Sequence, residues 1–376
     1  MENLLYLPHS DAPSTPLDRS ALLLEALEII VREYPPQETW APPLKGLWNG
    51  PTGIAYLFLR ISAERPGLLV AGRPAHSWAE AYLGGTRDAA GMVFAPAEKC
   101  GISSEALAYP AVRTAVSGDA ACVEEFLARV PAVVEGPAEV EWYSGRAGML
   151  YLVRVVRRWC PGSSAALDGA AARLRASIVA DGPDWAFHGN RYIGAVHGDI
   201  GTLTQVALSQ PTDDEKKKLQ AWLVRLLDWQ KDDGNWPVNE QVDPRPYVQF
   251  CHGAPGFVQS LQSIRPLFPE IDDRIGGAIA RGNALVWKEG LLKKEPNLCH
   301  GAFGNFLSLP LDQRDVFLEQ STPASIAQAR LKDPSQFEKA NYGFEFSLLT
   351  GYWPGAAWAW LVSNNPEAGF IGYNDL

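Results

Sequence analysis

The chain has 376 residues, 47% of them hydrophobic, and a formal net charge of −10. That length allows one large domain or two or three ordinary ones, and the apolar share is ample for a buried core. An acidic balance with no basic block excludes nucleic acid and anionic membrane as expected partners, and no uninterrupted apolar run reaches the roughly 18 residues of a membrane span.

The opening MENLLYLPHSDAPSTP has neither the basic flank nor the long apolar run of a secretory signal. Ala21 to Tyr34 reads as an amphipathic helix that stops at Pro35-Pro36. Asn49 then opens NGPTGIAYLFL, a Gly-rich turn followed by an apolar run, and this unit recurs. Its later copies are CGISSEALAY from Cys100 (the weakest), SGRAGMLYLV from Ser144, HGDIGTLTQV from His197, HGAPGFVQSL from His252, HGAFGNFLSL from His300 and TGYWPGAAWAW from Thr350. Their first glycines are Gly50, Gly101, Gly145, Gly198, Gly253, Gly301 and Gly351, a period of about fifty residues.

Amphipathic segments lie between the turns. Thr212 can N-cap a helix with an acidic start, whose apolar positions Leu219, Trp222, Leu223, Leu226 and Leu227 share one face; Gly234 is expected to end it. The segments after the Gly turns, such as GMLYLVRVV, are apolar all round. Helices apolar all round are buried, and helices apolar on one face lie outside. Strand signals are scarce. The pattern predicts an all-α fold: an α/α toroid, or barrel, of about seven outer/inner helix pairs, forming a single domain over residues 1–376. The Gly turns gather at one end of the inner ring, where the backbone reverses tightly.

Three of those turns carry more than glycine: GAVHG ending at Gly198, CHGAPG from Cys251 and CHGAFG from Cys299. Neighbouring units in a ring bring two thiols and up to three imidazoles to one rim. Zinc takes both ligand types, and a catalytic site keeps its fourth position open. The spacing is not that of a zinc finger, and a lone buried Cys is more often an inert small hydrophobe. The five cysteines are odd in number and widely scattered, which argues against a disulfide framework and for a reducing, cytoplasmic setting.

The turns YIGAVHGDIG, FCHGAPGF and NLCHGAFGN, with DGNWPV between the first two, resemble the signature segments of the LanC-like family, which holds the bacterial lanthionine cyclases and the eukaryotic LanC-like proteins. The likeness runs from about Gly46 to Gly355, and CHGAPG with WYSGRAG is closer to the eukaryotic members. It implies the toroid, a zinc ion on Cys251, Cys299 and His300, and a fourth zinc position left to a substrate thiol. The implied chemistry is addition of a thiol to a dehydroamino acid to form a thioether. His197 matches the family histidine that delivers the proton, and Glu141 stands where a bacterial cyclase has Asp. A lysine at the position of Lys294 helps eukaryotic members bind glutathione, and Arg146 joins Lys294 as a candidate for substrate binding, or as an ion-pair partner of Glu141.

The expected activity is a zinc-dependent enzyme that binds glutathione and adds thiols to dehydroalanine or dehydrobutyrine in peptides or proteins. The alternatives are a lanthionine cyclase, a non-catalytic glutathione-binding scaffold and, outside the family, a two-carboxylate toroid glycosidase. Tyr247 stands where bacterial cyclases carry an arginine, with Arg245 the nearest cation, and the last turn, Gly351 to Gly355, is one residue longer than usual. His252 is read as pointing away from the metal, His188 as a weaker rim candidate, His9 and His76 as loop residues, and Cys100, Cys122 and Cys160 as structural. Trp185 and Trp236 are candidates to line the mouth.

Overall fold

A computed structural model describes residues 5–10, 13, 16–94, 99–240, 247–339 and 345–376. It is mostly helical. In chain order the α-helices are α1 (Arg19–Glu33), α2 (Pro51–Glu64), α3 (Ala75–Leu83), α4 (Glu105–Ser117), α5 (Ala120–Leu127) and α6 (Val130–Glu135). They continue with α7 (Arg146–Trp159), α8 (Ser164–Ala180), α9 (Asp199–Ala207), α10 (Asp213–Asp228) and α11 (Ala254–Ile264). The last are α12 (Asp272–Glu289), α13 (Ala302–Asn305), α14 (Leu311–Gln320), α15 (Pro323–Lys332) and α16 (Tyr352–Val362). Strand among the described residues is limited to two short pairs, Thr39–Trp40 with Thr86–Arg87 and Leu69–Val70 with Arg73–Pro74. No helix among them is long and apolar enough to cross a membrane.

The two helix classes separate by burial. All nine residues of α9 are buried, as is α16 apart from Trp353, whereas α10 buries only Leu219, Leu223, Leu226 and Leu227. The Gly-turn helices pack in cyclic order: α2 on α4, α4 on α7, α7 on α9, α9 on α11, α11 on α13, α13 on α16, and α16 back on α2. The helices that bury one face lie against them, α3 on α2, α8 on α7, α10 on α9, α12 on α11 and α1 on α16. Backbone bonds tie the turns together. Leu47 N–H donates to Ile102 O (2.9 Å), Cys100 N–H to Ser144 O (2.6 Å), Cys251 N–H to Cys299 O (3.2 Å) and Cys299 N–H to Leu349 O (2.8 Å). Ser347 Oγ donates to Trp48 O (2.5 Å), joining the last turn to the first.

Six of the seven repeat glycines are the N-caps of α2, α7, α9, α11, α13 and α16. The weak repeat differs, since α4 starts after Ser104, three residues beyond Gly101. The second glycine of the turn has its own constraint. A Cβ on Gly304 would lie 1.8 Å from Leu298 O, and one on Gly256 2.1 Å from Phe250 O, so the chain passes too close to itself for any side chain. In the longer last turn the second glycine, Gly355, sits more freely, with its nearest neighbour at 3.4 Å.

Thr212 caps α10 in a full capping box with Glu215. That helix ends at Asp228, before Gly234, because the next residues, Gln230 to Asp233, are polar and leave no apolar face to bury. Gly234, at φ +90°, instead forms the turn that follows. The sixth inner helix, α13, is a single turn, continued by a 3₁₀ turn over Phe306–Ser308. The Arg314 guanidinium then takes up the carbonyls of Leu307 and Leu309.

Candidate metal centre

The hydrogen bond from Cys251 N–H to Cys299 O sets two neighbouring turns in register and brings their cysteines together. Cys251, Cys299 and His300 are all buried, and one ligand atom from each lies within 4.8 Å of the others. Cys251 Sγ is 3.6 Å from His300 Nδ1. Zinc bonds of about 2.3 Å to sulfur and 2.0–2.1 Å to nitrogen at a tetrahedral angle require an S···N edge of about 3.6 Å. The donor set and this edge therefore fit zinc, with Nδ1 the imidazole atom turned to the metal. The backbone N–H of His300 donates to Asn297 Oδ1 (2.9 Å), which fixes the turn that carries the ring.

The two adjacent thiols are pushed in opposite directions. Burial pushes Cys251 up, but contact with Cys299, the charge of His252 and contact with His300 together bring it well below the ordinary thiol value. Burial and the adjacent Cys251 thiolate hold Cys299 well above it. Gln249, also buried, donates from Nε2 to Cys251 Sγ (3.1 Å) and accepts at Oε1 from Lys294 Nζ (2.9 Å). Burial lowers the Lys294 pKa, and the two sulfurs pull it back up.

Lys294 is fixed by its neighbours on both sides. Leu7 N–H donates to Leu291 O (2.7 Å) and Lys293 N–H to Leu5 O (3.1 Å) on one side; Phe337 N–H donates to Lys293 O (2.6 Å) on the other.

Beside the trio is a group of half-buried rings. His197 stacks on Phe187 (4.4 Å between centroids, 12°), meets Tyr143 edge-on at 5.5 Å and lies 6.4 Å from His252. His252 in turn neighbours Tyr192 and Tyr247 at 5.8 and 6.2 Å. His197 Nδ1 approaches Glu141 Oε2 at 3.4 Å. The Glu141 carboxylate is held by the backbone N–H groups of Tyr143 and Ser144. Burial first, then the Glu141 carboxylate and Cys299, push the Tyr143 phenol up to about 12, against the pull of a hydrogen bond with Ser103.

The chain matches the family of lanthionine synthetase C-like proteins over residues 99–354. It belongs to that family. Among curated relatives, this LanC-like chain is 31% identical over 195 residues to "LanC-like protein GCL1" of Arabidopsis thaliana, covering 48% of this chain and 44% of that one. It is 26% identical over 214 residues to "Glutathione S-transferase LANCL1" of Danio rerio, covering 50% of this chain and 51% of that one. The chain thus spans about half the length of these curated relatives. Membership removes the glycosidase reading.

The LanC-like chain brings the expected trio together, sets His197 beside Glu141 and joins Lys294 to the trio through Gln249. Arg146 stands apart: its guanidinium pairs with Asp181, not Glu141. His252 belongs to the ring cluster, while His188 is exposed. His76 lies in the first turn of α3, and His9 Nε2 is 2.6 Å from Trp287 O. Arg245 lies outside the described residues. Trp185 and Trp236 do not line a mouth; both are buried, with their indole N–H groups on Ile178 O and Leu226 O, because each fills the gap between an outer helix and its turn.

Sequence reasoning missed Gln249, Tyr143, Tyr192 and Phe187. It also passed over Asp199 in HGDIG, which is buried, bonds Arg191 at 2.9 and 3.0 Å, and is pushed up to about 7 by burial against the pull of that guanidinium. The one available signal for Gln249 was its place two residues before Cys251.

Gln249→Leu is expected to weaken zinc binding by about 10–100-fold, the usual effect of losing a hydrogen bond to a metal ligand. Competition with a coloured chelator measures it; unchanged affinity would show that the bond to Cys251 Sγ does not support the metal.

Proposed function

We propose that this LanC-like chain is a zinc-dependent enzyme that binds glutathione and joins a thiol to dehydroalanine or dehydrobutyrine in a peptide or protein. The observation that carries the reading is the buried Cys251–Cys299–His300 trio, linked through Gln249 to the half-buried cation of Lys294. The printed name of the Danio rerio relative supports the choice of glutathione. Zinc, when bound, lowers the pKa of a thiol that joins it, so the thiol becomes a nucleophile at neutral pH.

The residues then divide the work. Lys294 receives a carboxylate of the tripeptide. Attack on the β-carbon forms the C–S bond, breaks the C=C π bond and leaves negative charge on the α-carbon side, which His197 protonates. Glu141 orients His197, and Arg146, paired to Asp181, is left to steer substrate charge from farther out. With Tyr247 replacing the arginine of bacterial cyclases, a cyclase role on a peptide is the second reading.

The same proposal takes residues 1–376 as one α/α toroid, supported by the cyclic packing of the seven inner helices. It sets the chain in the cytoplasm, supported by its five unpaired cysteines.

Glutathione binding is tested by calorimetry in buffers of different ionisation enthalpy. Coordination of the sulfur should release close to one proton per site, and Lys294→Ala should weaken binding about tenfold, in line with loss of a charge-assisted hydrogen bond. Equal affinity for zinc-free protein would overturn coordination.

A further inference from the structure

The turns that carry Glu141 and Cys251 precede α7 and α11, two inner helices separated by α9. They meet below the rim on a common support. The chain after α16 runs through the middle of the inner helices, and Phe370, Ile371 and Tyr373 on it are fully buried. Phe370 stacks on Phe250 with centroids 3.6 Å apart and planes at 12°. Tyr373 meets Phe250 at 5.2 Å and Trp142 at 5.3 Å, both edge-on. The Trp142 indole N–H donates to Gly372 O (3.0 Å). Phe250 directly precedes Cys251, and Trp142 directly follows Glu141.

The segment is anchored from all sides. Arg154 Nη2 and Gln205 Nε2 donate to Tyr373 O (2.8 and 3.1 Å), and Tyr373 Oη shares a 2.6 Å bond with Ser260 Oγ. At its far end the Asp375 side chain is fully enclosed, paired with Arg60 and accepting from Tyr151 (2.7 Å) and Tyr56 (3.0 Å). These anchors come from α2, α7, α9 and α11.

We propose that Phe370–Asp375 is a central hub whose rings set the relative position of the Glu141 and Cys251 turns, which makes Phe370 and Trp142 positioning residues for the metal centre. The proposal rests on the zinc reading above. A metal site tolerates ligand displacements of only about 0.5 Å, and a close-packed interior passes a change of volume to its neighbours. Loss of the Phe370 ring therefore shifts Phe250 and, with it, Cys251 Sγ.

The test compares Phe370→Leu and Trp142→Phe with Leu27→Ala, a core truncation in α1 that lies away from the hub. Zinc affinity is measured by chelator competition, and the geometry at the thiolates by the visible spectrum of the cobalt-substituted protein. Phe370→Leu is expected to weaken zinc about tenfold, the lower end of outer-shell effects, and to shift the cobalt bands. Leu27→Ala should lower the melting temperature while leaving affinity and spectrum alone. Trp142→Phe keeps an aromatic ring against Phe250 and Tyr373 but loses the indole's second ring and its N–H bond to Gly372 O; it carries the test should Phe370→Leu fail to fold, and a shifted cobalt spectrum is expected there too. Wild-type affinity and spectra in both hub variants would overturn the proposal and leave the zinc reading intact. A wild-type chain that takes up no zinc would overturn both.

Discussion

Replacing Cys299 by Ala is expected to strip the purified chain of most of its zinc, which should be about one ion per chain in wild type. The three donors are all buried, with one atom of each within 4.8 Å of the others, and among the described residues no further His, Cys, Asp or Glu is grouped with them to take the missing place. Losing a direct ligand should cost more than the roughly 10–100-fold of an outer-shell change. Thiolate and imidazole ligands must shed their protons to hold zinc, so affinity should fall as pH is lowered. Metal analysis by mass spectrometry on Cys251→Ala, Cys299→Ala and the control Cys160→Ala reads the outcome. Cys160 is a buried thiol facing Thr114 O, away from the trio, and its loss should leave the metal in place. Full zinc content in both Cys251→Ala and Cys299→Ala would sink the assignment.

The repeat was legible because close backbone approach leaves a mark that chemistry cannot substitute. Glycine must stand wherever a Cβ would meet a carbonyl six residues back, as at Gly256 and Gly304, so the period survives in sequence. Burial was legible in α16, which is apolar all round, but less so in α9, which is wholly buried although it carries Asp199, Thr202, Thr204 and Gln205. The recurring turns point to two thiols and up to three imidazoles at one rim, and the choice of Cys251, Cys299 and His300 among them rested on the resemblance to the LanC-like family.

Other features leave no local pattern. Gln249 acts by bridging Lys294 to Cys251, a contact across 45 residues that no spacing rule announces. Arg146 was matched with Glu141 by proximity in sequence, yet its helix carries it to Asp181, and Glu141 turns back to its own backbone. The Phe370–Asp375 segment lies beyond the last repeat and has no motif, although its contacts reach α2, α7, α9 and α11. Trp185 and Trp236 show the limit of composition: a tryptophan near a rim motif is as useful for filling a helix-to-turn gap as for facing a substrate.

His197→Asn separates catalysis from metal binding. His197 lies one repeat before the first cysteine turn, and its imidazole is stacked on Phe187 and turned to Glu141, not grouped with the zinc donors. Its side chain keeps 26% of its surface exposed, so substrate can reach it. The variant should therefore keep its zinc and most of its glutathione affinity. Addition of glutathione to a dehydroalanine peptide, followed by intact mass, should slow by about 10²–10⁴-fold, the usual worth of a general acid. Glu141→Gln should slow the same step less: its single amide oxygen keeps one of the two backbone bonds, from Tyr143 or Ser144, while the charge facing His197 is lost. Zinc loss in His197→Asn would make the residue a structural support of the metal centre. Survival of zinc, binding and rate together would reduce it to a turn residue, and the proton would then have to come from elsewhere in the ring cluster, where His252 stands 6.4 Å away. A wild-type chain that binds zinc and glutathione without accelerating addition would leave the same geometry serving recognition alone, since the contacts that hold a reactant hold a ligand equally well.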